Sequence, residues 1–367
     1  MRRAALAAAP LVVLALAPLV AAQAQQQATK AFRFAGDSLA RYEWTQNIPE
    51  ADTLVNQNRY FIQVRPRLEL TAGPIELGVG GAFNYSDEEN DVPPPGQATL
   101  TLVRDNYRSR DARLDLAWGK VKLGPVVAEG GRFFMPLPLT EMIWDRDLRP
   151  QGGAVALEFT PQGSTNRFAF HGIYTIGSHV FEDESVMYGG GADLTFGSAD
   201  GSSLQLAGSY LQFQDLNKLE PVLRRQNTQV AGLIAGDYRV VDLIARLTRG
   251  GQLPLQLVAD YCWNTALDSG NRGLWVAVAL GDLGVSRTRL EYTYAAIDHD
   301  ATVAAFNTDD FFWGTGWEGH RGDFAMGTVK SSSIHAIAQW QRFKDSPDPT
   351  IRDQWVTRYR LEWRTSF

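Results

Sequence analysis

The stretch Tyr60-Phe61-Ile62-Gln63-Val64-Arg65-Pro66-Arg67-Leu68-Glu69-Leu70 decides the fold. In an extended chain, Tyr60, Ile62, Val64, Leu68 and Leu70 fall on one face, and Gln63, Arg65, Arg67 and Glu69 on the other. A membrane-crossing strand needs about 9–11 residues, whereas a globular strand averages about 5–6. The chain ends on the same pattern. Trp355, Tyr359, Leu361, Trp363 and Phe367 share one face, and Gln354, Arg358, Arg360, Glu362 and Arg364 share the other.

Similar segments start near Phe32, Ile75, Ala112, Val126, Gly153, Phe168, Tyr188, Leu204, Tyr238, Leu255, Leu274, Val285, Phe324 and Ile334, which makes sixteen with the two above. An even number lets a closed antiparallel barrel keep both chain ends on one side. The connections supply an independent test. Counting from the inside, the even-numbered ones fall at Ala72–Pro74, Leu123-Gly124, Thr160–Thr165, Ser198–Ser202, Arg249–Pro254, Gly281–Gly284 and Lys330–Ser333, and all are short. Ser86–Arg110, Met135–Gln151, Gln214–Asp237 and Ile297–Arg321 are odd-numbered and long. Short periplasmic turns and long external loops give this alternation, and a wrong strand count would scramble it.

A secreted β-sandwich also alternates, because it buries its apolar strand face. Strand length and the aromatics favour the membrane. Tyr42, Trp44, Phe83, Tyr85, Trp118, Tyr261, Trp263, Tyr292 and Tyr294 cluster near strand ends, where interfacial girdles sit. The expected fold is an all-β, transmembrane antiparallel barrel forming one domain over residues 25–367.

Composition agrees. Of 367 residues, 44% are hydrophobic and 11% aromatic, too rich for disorder. No apolar run repeats as a helical membrane protein requires. The single Cys262 excludes a disulfide framework and a cysteine-based metal centre. A net charge of -6 argues against a nucleic-acid partner. At the N-terminus, Arg2 and Arg3 precede an apolar run from Ala4 to Ala22, then Ala22-Gln23-Ala24. This reads as a cleaved signal peptide over residues 1–24. Removing its two arginines takes the net charge from -6 to -8.

Gly131-Arg132-Phe133-Phe134-Met135-Pro136, followed by Trp144-Asp145-Arg146-Asp147-Leu148-Arg149-Pro150-Gln151-Gly152-Gly153-Ala154, resembles a bacterial family of outer-membrane β-barrel porins defined largely by sequence. In that family a G-R-x-x-x-P stretch leads through a loop into W-D-x-D-L-x-P-x-G. Leu253-Pro254-Leu255 through Asp260-Tyr261 to Asn264 is similar to another of its strands. Glu291-Tyr292-Thr293-Tyr294, with Ala304-Ala305-Phe306 and Gly319-His320-Arg321-Gly322, resembles its late loop. The resemblance implies a sixteen-strand channel in the bacterial outer membrane and no particular solute. Phe367, closing an aromatic-rich last strand, resembles the signal read by the barrel-assembly machinery.

A sixteen-strand barrel is wide enough to hold water, and charges facing lipid near its midplane cost about 2–4 kcal/mol each. The charged faces therefore belong inside, as a route for small hydrophilic solutes. Arginine dominates the cations, with 29 Arg against six Lys. Arg41, Arg65, Arg67, Arg358, Arg360 and Arg364 would form a basic wall where the first, second and last strands meet, and Arg113, Arg287 and Arg289 are further lining candidates. Glu141, Asp145 and Asp147 lie in the third external loop, which folds inward in sixteen-strand porins. There they would either face the arginines across a constriction, setting up a transverse field, or pair with arginines and pin the loop. A channel selective for anionic or sugar-like solutes is the alternative within transport. Homotrimers are common for this architecture, and monomer and trimer both stay open.

Catalytic readings are weaker. Asp309-Asp310 with His299 and His320 would be the residues of a hydrolase at the external loops, yet a solvated acidic loop explains them as well. Ser331-Ser332-Ser333 is near no candidate triad. Gly189-Gly190-Gly191 lies on a strand rather than in a phosphate loop. His171, His179, His299, His320 and His335 lack metal-ligand spacing. No cofactor, no metal and no catalysis are expected.

Overall fold

A computed structural model describes residues 30–50, 53–86, 111–178, 184–219, 221–224, 227–307, 310–311, 314–329, 331–344 and 354–367. The expected signal peptide, the connection 87–110, His179 and Asp309 lie outside the described residues. Sixteen strands form the wall. The first eight are β1 Lys30–Glu50, β2 Thr53–Ala72, β3 Ile75–Ser86, β4 Asp111–Leu123, β5 Val126–Arg132, β6 Pro150–Phe159, β7 Arg167–Ser178 and β8 Val186–Gly197. The others are β9 Ser203–Gln214, β10 Tyr238–Arg249, β11 Leu255–Asn264, β12 Arg272–Asp282, β13 Thr288–Ile297, β14 Trp317–Gly327, β15 Ser332–Phe343 and β16 Trp355–Ser366. Each pairs antiparallel with its sequence neighbours, and β1 pairs with β16 from Asp37↔Ser366 to Gln46↔Thr357, so the barrel closes. Closure removes the edges that an open sheet would leave unpaired in lipid.

The period-two pattern appears directly in exposure. On β2, Ile62 and Leu68 are 49% and 55% exposed, whereas Phe61 and Gln63 are 2% exposed. On β16, Leu361 and Trp363 face out while Arg358, Arg360 and Glu362 are buried. The exterior is thus a greasy belt around a polar, packed interior, an inversion that is stable only in lipid. Aromatic pairs mark its rims, including Tyr42–Tyr60 and Trp44–Tyr359, with centroids 5.0 and 5.6 Å apart.

Two strand starts and one girdle residue differ from the sequence expectation. β13 begins at Thr288, since Val285 sits in the preceding turn. β14 begins at Trp317 instead of Phe324, so the connection before it is 298–316. Its first outward residues include Glu318 and His320, polar enough to read as loop, but here they contact Arg342 and Tyr292 of neighbouring strands. Trp118 also departs from the girdle. Asp115 is an extra residue in β4, where the register passes from Gly80↔Leu116 to Gly81↔Leu114. That bulge reverses which face the following residues occupy. Trp118 is consequently packed against the interior cluster beside Gly78, where any Cβ would lie 2.5 Å from the indole.

The connections alternate as the parity argument requires. One end carries only short turns, at 73–74, 124–125, 160–166, 198–202, 250–254, 283–287 and 328–331. The other end carries the long connections, including 133–149, 215–237 and 298–316.

Candidate channel constriction

The candidate constriction begins where β5 stops early. β5 spans only Val126–Arg132, so β4 above Ala117 has no β5 partner and the chain leaves the wall there. Gly131 permits the exit. Its φ is +116°, and a Cβ would sit 2.1 Å from the Ala117 carbonyl oxygen. Pro136 and Pro138 then stiffen the loop, and it turns into the bore.

Loop 133–149 crosses the lumen and is tied to opposite walls. At one wall, Arg65 of β2 bridges Asp37, at 2.7 Å, and Asp147 of the loop. Arg149 Nε donates to Asp115 of β4 at 3.2 Å, with its guanidinium over the Phe134 ring. At the far wall, the Thr140 hydroxyl donates to Asp260 of β11, and Arg321 of β14 donates to Glu141 at 3.0 Å. Between these anchors lies an apolar cluster. Met142 and Ile143 are fully buried, and Trp144 stacks on Phe306 of loop 298–316 with centroids 5.4 Å apart. The Asp145 backbone N–H also donates to the Phe306 carbonyl, at 2.7 Å. Loop 215–237 closes the same cluster, with Asn227 donating to the His299 and Thr302 carbonyls and accepting from the Ala304 N–H.

A second cluster occupies the seam of β1, β2 and β16. Arg41 donates to Glu362 at 2.7 Å and to Asp310 of loop 298–316 at 2.8 Å. Arg360 reaches the same Asp310 oxygen at 2.9 Å and also contacts Glu43. Arg59 bonds Glu43 at 3.0 Å, and Arg364 bonds Glu362 at 2.7 Å. The Asp310 carbonyl accepts from Gln339 at 2.7 Å and Arg360 at 2.8 Å. The arginines therefore form a wall that carries its own counter-acids.

Two loop carboxyls titrate abnormally. Burial pushes Asp147 up, but Arg65 and Arg149 outweigh it and hold the carboxyl below its ordinary value. Asp310 is likewise penalised by burial, yet Arg41 and Arg360 keep it well below the usual carboxylate range. Both loops are thereby held by ionised contacts.

Beside loop 133–149 a void of about 500 Å³ remains, between the loop and the wall of β10 to β14. Met135, Leu139 and Trp144 face it from the loop, and Arg246, Val258, Trp275, Glu291 and Arg321 from the wall.

Against solved structures, the barrel aligns with Pseudomonas putida OprB at a TM-score of 0.58 and 12% identity, covering 92% of this chain and 94% of that one. It aligns with Salmonella typhi OmpF, in a structure of its complex with daunomycin, at a TM-score of 0.53 and 11% identity, covering 92% and 97%. The chain has the porin fold. No protein-family model matches it, and no curated protein sequence matches it. At such identities the likeness is one of architecture alone.

On the porin fold, the remaining candidates separate by position. Arg67 pairs with Glu69 at 2.7 Å, Arg113 with Asp111 at 2.6 Å and Arg289 with Glu291 at 2.6 Å. Arg358 is fully buried, 4.0 Å from Glu43. Arg287 is in the turn before β13, with φ 59°, donating to the Thr328 carbonyl. Asp145 accepts the Asp147 N–H at 2.8 Å and shapes the loop from within. Asp310, His299 and His320 are not brought together: Asp310 lies among arginines, His299 against Phe343, and His320 outside against Tyr292 and Trp355.

Sequence reasoning missed one constellation. Ser333 Oγ lies 2.9 Å from His335 Nε2, whose Nδ1 lies 3.1 Å from both oxygens of Asp323. The i, i+2 spacing places Ser333 and His335 on one face, but Asp323 arrives only through the β14–β15 register. Ser333 pairs with strands on both sides, so the backbone N–H groups around it are spent in the ladder. The three groups tie β15 to β14 from the inner face.

Proposed function

We propose that this chain is an outer-membrane channel through which small hydrophilic solutes diffuse passively, past a constriction made by loop 133–149. The observation that carries the reading is the loop itself. It crosses the bore of a closed barrel from Arg65 to Asp260, with a void of about 500 Å³ along one side. A barrel serving only as an anchor has no use for a polar interior with a restricted aperture.

In this reading, residues 1–24 direct export, the short turns face the periplasm and the long loops face outward. Phe367 supports assembly. Its backbone exchanges hydrogen bonds with Gly36 at 2.8 and 3.0 Å, and its ring lies over Phe34, so the last residue closes the seam. The arginines at the seam and the acids of loops 133–149 and 298–316 set the charge of the aperture. Assembly as a homotrimer is part of the same proposal.

Single-channel recording in planar bilayers under a salt gradient tests it. The purified chain is expected to give discrete, lasting conductance steps without added ligand. A correctly folded barrel that passes no current would sink the reading.

A further inference from the structure

We propose that the void beside loop 133–149 is a binding subsite for small organic anions with an apolar, aromatic body. This deepens the channel reading and rests on it for its place in the protein's work. The void holds about 500 Å³, ample for a single-ring carboxylate. Its apolar part is built from both sides, by Leu137, Leu139 and Trp144 of the loop and by Val258, Trp275 and Ala277 of the wall. An aperture for ions and sugars alone gains nothing from such a lining, because apolar surface stabilises only apolar surface.

The charges select the head group. Three guanidiniums, Arg146, Arg246 and Arg321, face two carboxylates, Glu141 and Glu291, leaving one positive charge in excess. Arg321 is already committed, to Glu141 at 3.0 Å and Glu291 at 3.5 Å, with its guanidinium over Trp275 and Phe311. Arg146 bridges to Glu141. Arg246 is different. Among the described residues no carboxylate lies within 4.0 Å of it, and its Nη1 donates to the Gln205 amide oxygen alone. Gln205 is itself aimed by its other end, Nε2 donating to Asp193 at 2.8 Å. That pair fixes the guanidinium without neutralising it. By contrast, Arg41, Arg59, Arg65, Arg149, Arg289 and Arg360 each hold a carboxylate. Asp260 of the neighbouring strand acts on Arg246 only through space, not as a salt-bridge partner, and an oriented guanidinium without a direct carboxylate partner at the edge of an apolar void is the complement of a carboxylate on a ring.

The test is equilibrium binding to the detergent-folded full chain by titration calorimetry, using phenylacetate, acetate and 2-phenylethanol. Phenylacetate is expected to bind saturably, one per chain. Acetate lacks the ring and 2-phenylethanol lacks the charge, so each should bind at least about tenfold more weakly, as for one lost charge-assisted contact. Arg246→Gln should weaken phenylacetate by a similar factor, and Arg246→Lys should recover part of the loss. Equal affinity for acetate and phenylacetate would overturn the proposal, as would Arg246→Gln binding like the parent. Should Arg246→Gln fail to fold, the three ligands on the parent and the Arg246→Lys variant decide alone. Because the readout is binding and not current, a folded chain that binds phenylacetate but conducts nothing rejects the channel and keeps the subsite. The converse outcome rejects only the subsite.

Discussion

Asp310→Asn isolates the electrostatics of the seam. The carboxylate accepts from Arg41 at 2.8 Å and from Arg360 at 2.9 Å, while its backbone carbonyl is held separately by Gln339 and Arg360. The amide keeps the shape and the backbone ties, so the loop should stay docked while one negative charge disappears. Around it, five guanidiniums (Arg41, Arg59, Arg358, Arg360 and Arg364) face three carboxylates (Glu43, Glu362 and Asp310). Counting these named groups alone, the substitution raises the excess from two positive charges to three. A unit charge about 7 Å from a permeating ion in water is worth roughly 0.6 kcal/mol, and screening near 0.1 M salt about halves it. The change acts with opposite sign on anions and cations, so the anion-to-cation permeability ratio should rise roughly threefold. The assay is the reversal potential of single channels in a salt gradient, with conductance recorded alongside. An unchanged reversal potential at unchanged conductance would refute the placement of Asp310 beside the permeation path.

Replacing Leu68, 55% exposed on the outer face of β2, by arginine should cost about 2–4 kcal/mol if it lies near the bilayer midplane, read by denaturant unfolding in lipid vesicles. A neutral result would place that face in water. Glu141→Gln combined with Asp147→Asn removes an ion pair at each end of loop 133–149, and larger, noisier conductance steps are expected. Steps like the parent's would show that the apolar cluster holds the loop unaided. Asp147 and Asp310 have lowered native pKa values, so their contacts stabilise the docked loops above the free carboxylate pKa of about 4. That contribution is lost only as pH falls through the lower native values. The docking that Asp147 and Asp310 supply should therefore hold from neutral pH to about 4 and weaken below it, read as a change in conductance; a transition between pH 5 and 7 that Asp147→Asn together with Asp310→Asn abolishes would contradict the geometry.

Strand number, the greasy outer face and the two unlike ends were legible in the sequence because they are local. Side chains alternate with period two whatever the strand pairs with, and each connection's length is fixed by the chain itself. Trp118 escaped because one extra residue, Asp115, inverts the alternation, and a bulge leaves no mark on composition. The first residues of β14 escaped because Glu318 and His320 find partners only on neighbouring strands.

The loop across the bore was half legible. Glu141 and Asp147 stand out as acids in a proline-stiffened loop, and Arg65 as an inward arginine. Which acid meets which arginine depends on residues such as 41 and 310, brought together only when loops fold back into a closed cylinder. From the sequence, Asp310 is one of two adjacent loop acids; in the barrel it is the counterion of Arg41 and Arg360. The alternation of the chain determined what faces lipid and what faces the bore. Only the tertiary structure decided how the bore is filled, since that depends on contacts hundreds of residues apart that no local period encodes.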